Sequence, residues 1–412
     1  MTEAARARTR MVDALRAAGR IHTPAVEAAF RAVPRHLFLP DVPLEQAYAD
    51  EAVAVQYTDG VTTSSASQPS MMAIMLEQLG LRPGHRVLEI GAGTGYNAAL
   101  MARIVGPTGT VVAVDIDEAL VAGAEEHLAA ADVAGVDLVT ADGALGHPAG
   151  APYDRIVLTV GSDDVRPEWI AQLAPGGRLL LPLAVRGSQL SVALDLGPDG
   201  LLHSDSVRSC AFIRLRGEGA GRDTIRPVDG WGLALQLPDD GPGADPTRIA
   251  AALEEPGEPV PAPVSLGVVD VWDGFGLWLA LTEPGACRVL APDPDTGLPD
   301  DLLPLGPSTG TVALATAADR DRAGLAMVVP LAGRGDLRRP GPVAVRPFGP
   351  EGAALADALL DALDRWDAAG RPGAPDWRFT IVPDGVDEPG EVPRGHVVTT
   401  AHCRVLAALT PG

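Results

Sequence analysis

The 412-residue sequence predicts an α/β chain built on a doubly wound parallel sheet, with an additional C-terminal α+β domain. Three observations carry this. Between residues 85 and 196 short apolar runs alternate with helix-patterned segments. The first of those runs feeds directly into a glycine-rich turn, VLEIGAGTG (87–95). Near RLRGEGAGRDTIRP (214–227) the composition shifts to glycine and charge, the mark of a boundary. Three segments follow: 1–84, N-terminal helices and a polar loop belonging to the first unit; 85–218, its ligand-binding core; and 225–412, the accessory domain.

Taken in order, residues 1–35 read as two short helices, with Met11 and Leu15 in the first and Val26, Ala29, Phe30 and Val33 in the second. The run TDGVTTSSASQPS (58–70) is rich in small hydroxyl residues and predicts an exposed loop, with Pro69 opening the helix MMAIMLEQLG (71–80). HRVLEI (85–90) is the first buried strand and GAGTGYNAALMARIVG (91–106) its glycine loop and helix. TVVAVDID (110–117) is a second strand, followed by a helix from Glu118. VDLVTAD (136–142) and YDRIVLTVG (153–161) are the third and fourth. RPEWIAQLAPGG (166–177) predicts a helix, and RLLLPLA (178–184) and SQLSVALDL (188–196) the fifth and sixth strands of a parallel sheet. Farther on, SLGVVDVW (265–272), GLWLALT (276–282) and TVALAT (311–316) are strand candidates. EGAALADALLDALDRWDAAG (351–370) is an amphipathic helix with Leu355, Leu359, Leu360, Leu363 and Trp366 on one face, a pattern of core packing more than of a peptide groove. DWRFTIVP (376–383) and HVVTTAHCRVLAAL (396–409) are strand-like. In the latter, His396 and His402 fall where they can face the same way, as surface or half-buried histidines.

Composition excludes several chemistries. The chain carries 54 acidic against 32 basic residues, a net charge of −22, and every basic residue is arginine. Without lysine there is no Schiff-base amine and no phosphate-binding lysine. Both halves are acidic, which argues against a nucleic-acid partner. Cys210, Cys287 and Cys403 are far apart and form no metal-ligand pattern, so no metal is expected. The N-terminal segment lacks an apolar signal core and no run of about 18 apolar residues appears, so a cytoplasmic protein without membrane contact is expected.

The chemistry gathers around Glu89-x-Gly91-x-Gly93-Thr94-Gly95. Glycines at every second position let the backbone turn tightly against a ligand at a helix start. Asp115 ends the second strand, where a carboxylate accepts from two ribose hydroxyls. Ala141-Asp142-Gly143 ends the third strand, placed to meet an adenine edge. A dinucleotide site has glycines at a different spacing. With the corner LAPGGRLLLP (173–182), this series resembles that of the class I S-adenosylmethionine-dependent methyltransferases, whose Rossmann-like fold is the expected one.

Within that class, residues 10–215 resemble the protein-L-isoaspartate O-methyltransferases. The shared pieces are AAFRAVPRHLFLP (28–40), AYAD (47–50), SQPSMMAIMLEQL (67–79) and APYDRIVLTVG (151–161). The family carries a Thr-x-Ser-x-Pro run before its helix, and here it reads Ser65-Ala66-Ser67-Gln68-Pro69, with serine in the threonine's place. The resemblance implies the cofactor S-adenosyl-L-methionine, with S-adenosyl-L-homocysteine as product. It also implies Ser67 as the catalytic serine engaging a substrate carboxylate, with Ser65 and Gln68 beside it. Glu89, Gly91, Gly93, Thr94, Gly95, Asp115, Asp142 and Gly143 are then the cofactor residues. The implied partner is a peptide or protein bearing an aspartyl or isoaspartyl residue, whose ester closes to a succinimide. A carboxylate is already ionised at neutral pH, so no general base is needed; orientation and exclusion of water are.

Two departures bear on the substrate. Asp163 and Asp164 in VGSDDVRP (160–167) either alter the charge where the substrate enters or cap the next helix. The roughly 190 residues beyond the resemblance suggest the larger family members that methylate modified, macrocyclic precursor peptides of the lanthipeptide or graspetide type. General protein repair, a small-molecule acceptor and a non-catalytic peptide-binding partner are the competing readings.

Overall fold

A computed structural model of the chain describes residues 2–222, 224–238, 244–291, 310–316, 322–331, 339–386 and 396–410. Helices α1 (Glu3–Ala17) and α2 (Pro24–Ala32) each begin on a threonine whose hydroxyl accepts an amide of the first turn. Their apolar faces share one core with α4 (Pro69–Leu79) and α5 (Tyr96–Val105). A short α3 (Leu44–Ala47) leads into β1 (Val53–Thr58), which pairs antiparallel with β2 (Val61–Ala66). The hydroxyl-rich run expected as an exposed loop is therefore largely a strand. Thr62 and Thr63 are β-branched and suit it, and pairing turns Ser64 and Ala66 inward, where both are buried.

The main sheet runs through β3 (Arg86–Ile90), β4 (Thr110–Asp115), β5 (Val136–Thr140), β6 (Tyr153–Leu158), β7 (Leu173–Val185), β8 (Ser188–Leu196) and β9 (Leu202–Ser209). Strands β5-β4-β3-β6-β7 are parallel neighbours in that order. α5 and α6 (Glu118–Ala130) make crossovers between them. The expected sixth parallel strand is instead antiparallel: β7 and β8 are joined by the two residues Arg186 and Gly187, both at positive φ, a hairpin turn that permits no crossover. The segment 166–177 is helical only over α7 (Pro167–Ala171), because Leu173 already pairs into β7 beside Tyr153.

A second sheet of β10 (Ile225–Val228), β11 (Leu233–Gln236), β12 (Val260–Leu266), β13 (Ala286–Leu290), β14 (Gly310–Thr316), β15 (Gly324–Pro330) and β16 (Gly341–Phe348) is antiparallel throughout. α8 (Pro246–Leu253) and α10 (Gly352–Ala368) accompany it. The segment 276–282, expected as a strand, is helix α9 (Phe275–Thr282), and 265–272 leaves β12 at Leu266 to enter a π-helical turn (Asp270–Gly274). Seven of the eight α9 residues are buried, so no polar face marked its period. α10 buries Leu359, Leu363 and Trp366, the core packing its pattern predicts.

The chain then returns to the first sheet. β17 (Trp377–Pro383) pairs with β9, β19 (Cys403–Leu409) with β17, and β18 (His396–Thr399) with β19. The segment 396–409 is thus a hairpin, and its two histidines do not share a strand. One apolar core runs from Leu88 and Leu158 through Phe275 to Val345 and Leu363, joining both sheets. Among the described residues no helix is long and apolar enough to cross a membrane.

Candidate active site

A cavity of about 390 Å³ opens at the carboxyl ends of the parallel strands, where open α/β sheets place their ligands. Its floor is the turn after β3. Gly91 sits at φ 100° and Gly93 at φ 51°, backbone that side chains rarely adopt. The Gly93 amide donates to the Asp115 carboxylate at 2.9 Å, tying the turn to the end of β4. Asp115 also accepts from the Asp117 amide at 3.1 Å, and Arg216 lies 3.9 Å away.

Glu89 is wholly buried at the end of β3. Oε1 accepts from Asn97 Nδ2 at 2.8 Å, while Oε2 has no hydrogen-bond partner. Burial pushes this carboxyl up to about 8, against the Asn97 hydrogen bond. An orphaned, buried carboxylate oxygen in a cavity wall is a place for a cationic or N–H-bearing group of a ligand.

The opposite wall is the end of the β2 strand. Ser65, Ser67 and Gln68 line the cavity with Met71, Met72 and Met75 of α4. The hairpin is pinned over the glycine turn, since Gln56 Nε2 donates to Asp117 at 2.7 Å. That bond is the main reason the Asp117 carboxyl lies below its ordinary value. Gln68 Nε2 donates to the Asp50 carbonyl at 2.9 Å, so its side chain is already engaged.

Most of the sequence-selected residues thus meet in one cavity. Thr94 and Gly143 line it as well. Two do not: Gly95 and Asp142. Gly95 starts α5, where an added Cβ would stand 3.1 Å from Ala124 Cβ, so its smallness serves helix packing. Asp142 caps the following turn, accepting from the Ala144 amide at 2.9 Å and the Glu218 amide at 2.7 Å. Both of its oxygens are engaged outside the lining.

Asp163 and Asp164 fulfil neither reading offered for them: neither lines the cavity, and α7 has no side-chain cap. Asp164 is buried and faces the C-terminal hairpin. It accepts from the Val165 amide at 2.8 Å and Thr400 Oγ1 at 2.6 Å, and pairs with His402 Nδ1.

Sequence reasoning missed two parts of the site. The first is the segment Ser209–Arg216, which walls the cavity and is anchored by Gly161 through the Ile213 carbonyl and the Leu215 amide, both at 2.8 Å. It had been read only as the approach to a boundary. Burial pushes the Cys210 thiol within it far above its ordinary value. The second is Arg35, wholly buried between the first helices and the Ser67 turn. Burial draws its pKa down. The motif VPR flagged this residue only as part of a resemblance.

Comparison with known proteins agrees with this geometry. The family model for protein-L-isoaspartate(D-aspartate) O-methyltransferase (PCMT) matches residues 6–220. A protein-L-isoaspartate O-methyltransferase of Methanopyrus kandleri is 39% identical over 214 residues, covering 52% of this chain and 92% of that protein. One from Thermotoga maritima is 43% identical over 165 residues, 40% of this chain and 52% of that protein. A solved structure named protein-L-isoaspartate O-methyltransferase covers 90% of this chain and 96% of its own at 24% identity, with a TM-score of 0.50, and so shares the fold. The match over more than half of the chain and nearly all of its archaeal relative places the protein, a class I S-adenosylmethionine-dependent methyltransferase, in the protein-L-isoaspartate(D-aspartate) O-methyltransferase family.

Proposed function

We propose that the protein methylates the carboxylate of an aspartyl or isoaspartyl residue in a peptide or protein. The observation that carries this reading is the meeting, in one cavity, of the Glu89–Thr94 turn and Asp115 with the hydroxyl-bearing strand end Ser65–Gln68. The residues fit the cofactor: the partnerless Glu89 Oε2 suits an ammonium, Asp115 suits ribose hydroxyls, and Gly143 leaves room for a flat base. When bound, S-adenosyl-L-methionine supplies an electrophilic methyl group.

The chain's own residues then have three tasks. Ser67 offers a hydroxyl to a carboxylate oxygen, fixing the nucleophile's direction. Met71, Met72 and Met75 keep the acceptor wall apolar and dry. No side chain need take a proton, because the acceptor arrives ionised. The lining contains no histidine, and the Cys210 thiol is held protonated. An ester so formed is set up for attack by the following backbone amide, closing a succinimide.

Two acceptors fit, a damaged protein and a dedicated precursor peptide. The peptide reading began from the size of the chain and from Asp163 and Asp164. Those aspartates lie off the cavity, and a solved protein of this family shares the fold across both sheets, so neither feature separates the two. Mass spectrometry does. An isoaspartyl test peptide and a macrocyclic precursor peptide are each incubated with cofactor, and a gain of about 14 Da followed by net loss of water identifies the acceptor. Ser67→Ala should lower kcat/KM on it about 10–100-fold, the worth of one hydrogen bond to a charged group. Absence of methylation on every aspartyl and isoaspartyl peptide would overturn the proposal.

A further inference from the structure

Arg35 is wholly buried, yet among the described residues no carboxylate lies within 4 Å of its guanidinium. Its donors go elsewhere. Nε donates to the Ala47 carbonyl at 2.9 Å, and Nη2 to the Ser67 carbonyl at 3.0 Å and the Ala66 carbonyl at 3.4 Å. Nη1 has only the Met72 thioether, at 3.6 Å, a weak acceptor. The guanidinium lies over the Tyr96 ring, 5.1 Å from its centroid, and the buried Tyr96 hydroxyl has no hydrogen-bond partner. Arg35, Met72, Ser67 and Tyr96 all line the cavity.

A cation removed from water is costly unless something negative answers it. Here carbonyl dipoles, a sulfur and a ring face offset part of that cost, and a full counter-charge is missing in a protein with 22 surplus negative charges. We infer that Arg35 is the positioning residue of the acceptor half: it fixes the Ser67 turn through two carbonyls and supplies the buried positive charge that the substrate's carboxylate neutralises, with the Tyr96 hydroxyl as a second donor beside it. This rests on the carboxyl-methylation reading above. It also accounts for how an acidic protein admits an anionic acceptor: the repelling charge is spread over a solvated surface and screened, whereas this positive charge is local and unscreened.

The test uses the full chain and an isoaspartyl peptide, with the peptide's methyl ester as a second ligand. Wild-type turnover of the peptide tests the activity itself. Arg35→Gln and Arg35→Lys then test the assignment. The expected result for Arg35→Gln is a KM raised 10–100-fold with a smaller fall in kcat and unchanged calorimetric affinity for S-adenosyl-L-homocysteine. The preference for binding carboxylate over ester, present in wild type, should vanish, and Arg35→Lys should restore part of it. A merely structural role would lower stability and kcat and leave that preference intact, which overturns the inference. Should neither variant fold, wild type alone decides: a preference that survives 0.5 M salt supports a buried charge, and one that disappears refutes it.

Discussion

Glu89 gives the most demanding test of the site's electrostatics. Its carboxyl titrates at about 8 in the folded protein, raised from 4.5 by burial. The folded state therefore keeps a proton that the unfolded chain releases. Stability contributed by this group is complete below pH 4.5, falls as pH climbs through that window, and levels off above about 8. The fall is about 1.4 kcal/mol per pH unit, or about 5 kcal/mol across the window. Glu89→Gln removes the titration while its amide oxygen can still accept from Asn97. Its amide nitrogen falls near the position of the partnerless Oε2, a cost that does not vary with pH. Urea unfolding of both proteins at pH 5, 6, 7, 8 and 9 gives two stability curves. Their difference isolates Glu89 from the other carboxylates, and the variant should gain steadily on wild type until about pH 8. Saturating S-adenosyl-L-homocysteine should shallow the wild-type slope, since a ligand ammonium beside Oε2 favours the charged carboxylate. A difference curve that is flat between pH 5 and 8 refutes the argument.

Two other substitutions probe the frame. Gly91→Ala places a Cβ 2.8 Å from Thr159 Oγ1 and 2.9 Å from Val160 Cγ1 at φ 100°, so stability should fall by about 2–4 kcal/mol, read as a lower urea midpoint, with loss of S-adenosyl-L-homocysteine affinity in calorimetry. Asp164→Ala strands the Val165 amide and Thr400 hydroxyl. It should cost about 2–4 kcal/mol, and hydrogen exchange should rise first over residues 396–410.

The parts legible from the sequence were those written locally. Each parallel strand is a short apolar run, and Gly91, Gly93 and Gly95 sit where the backbone takes positive φ. The cavity lining followed, because strand ends carry it. What escaped notice was decided by distant partners. Thr62 to Ala66 look like a loop until β1 lies beside them. α9 is apolar all round and has no period to read. The antiparallel turn of β8 depends on two residues, Arg186 and Gly187. Arg35 carries no pattern at all: only its burial and the carbonyls around it, brought from residues 12 and more than 30 positions away, reveal its place.

The return of β17 to β9 has a consequence for how the chain acquires its structure. Residues that form the cavity, 35–216, are synthesised first, yet the sheet beneath them is not fully paired until residues 377–409 arrive. The second sheet is spelled out in the interval, looped out from an edge left waiting. During synthesis the open side of β9 is an unpaired strand edge for more than 160 residues of elongation, from Ser209 to Trp377. At ordinary ribosomal speeds that is roughly ten to thirty seconds. The nascent protein thus holds a near-complete methyl-transfer pocket beside an unfinished edge, and its solubility in that interval depends on how well β9, with His203, Asp205 and Arg208 along it, discourages other strands.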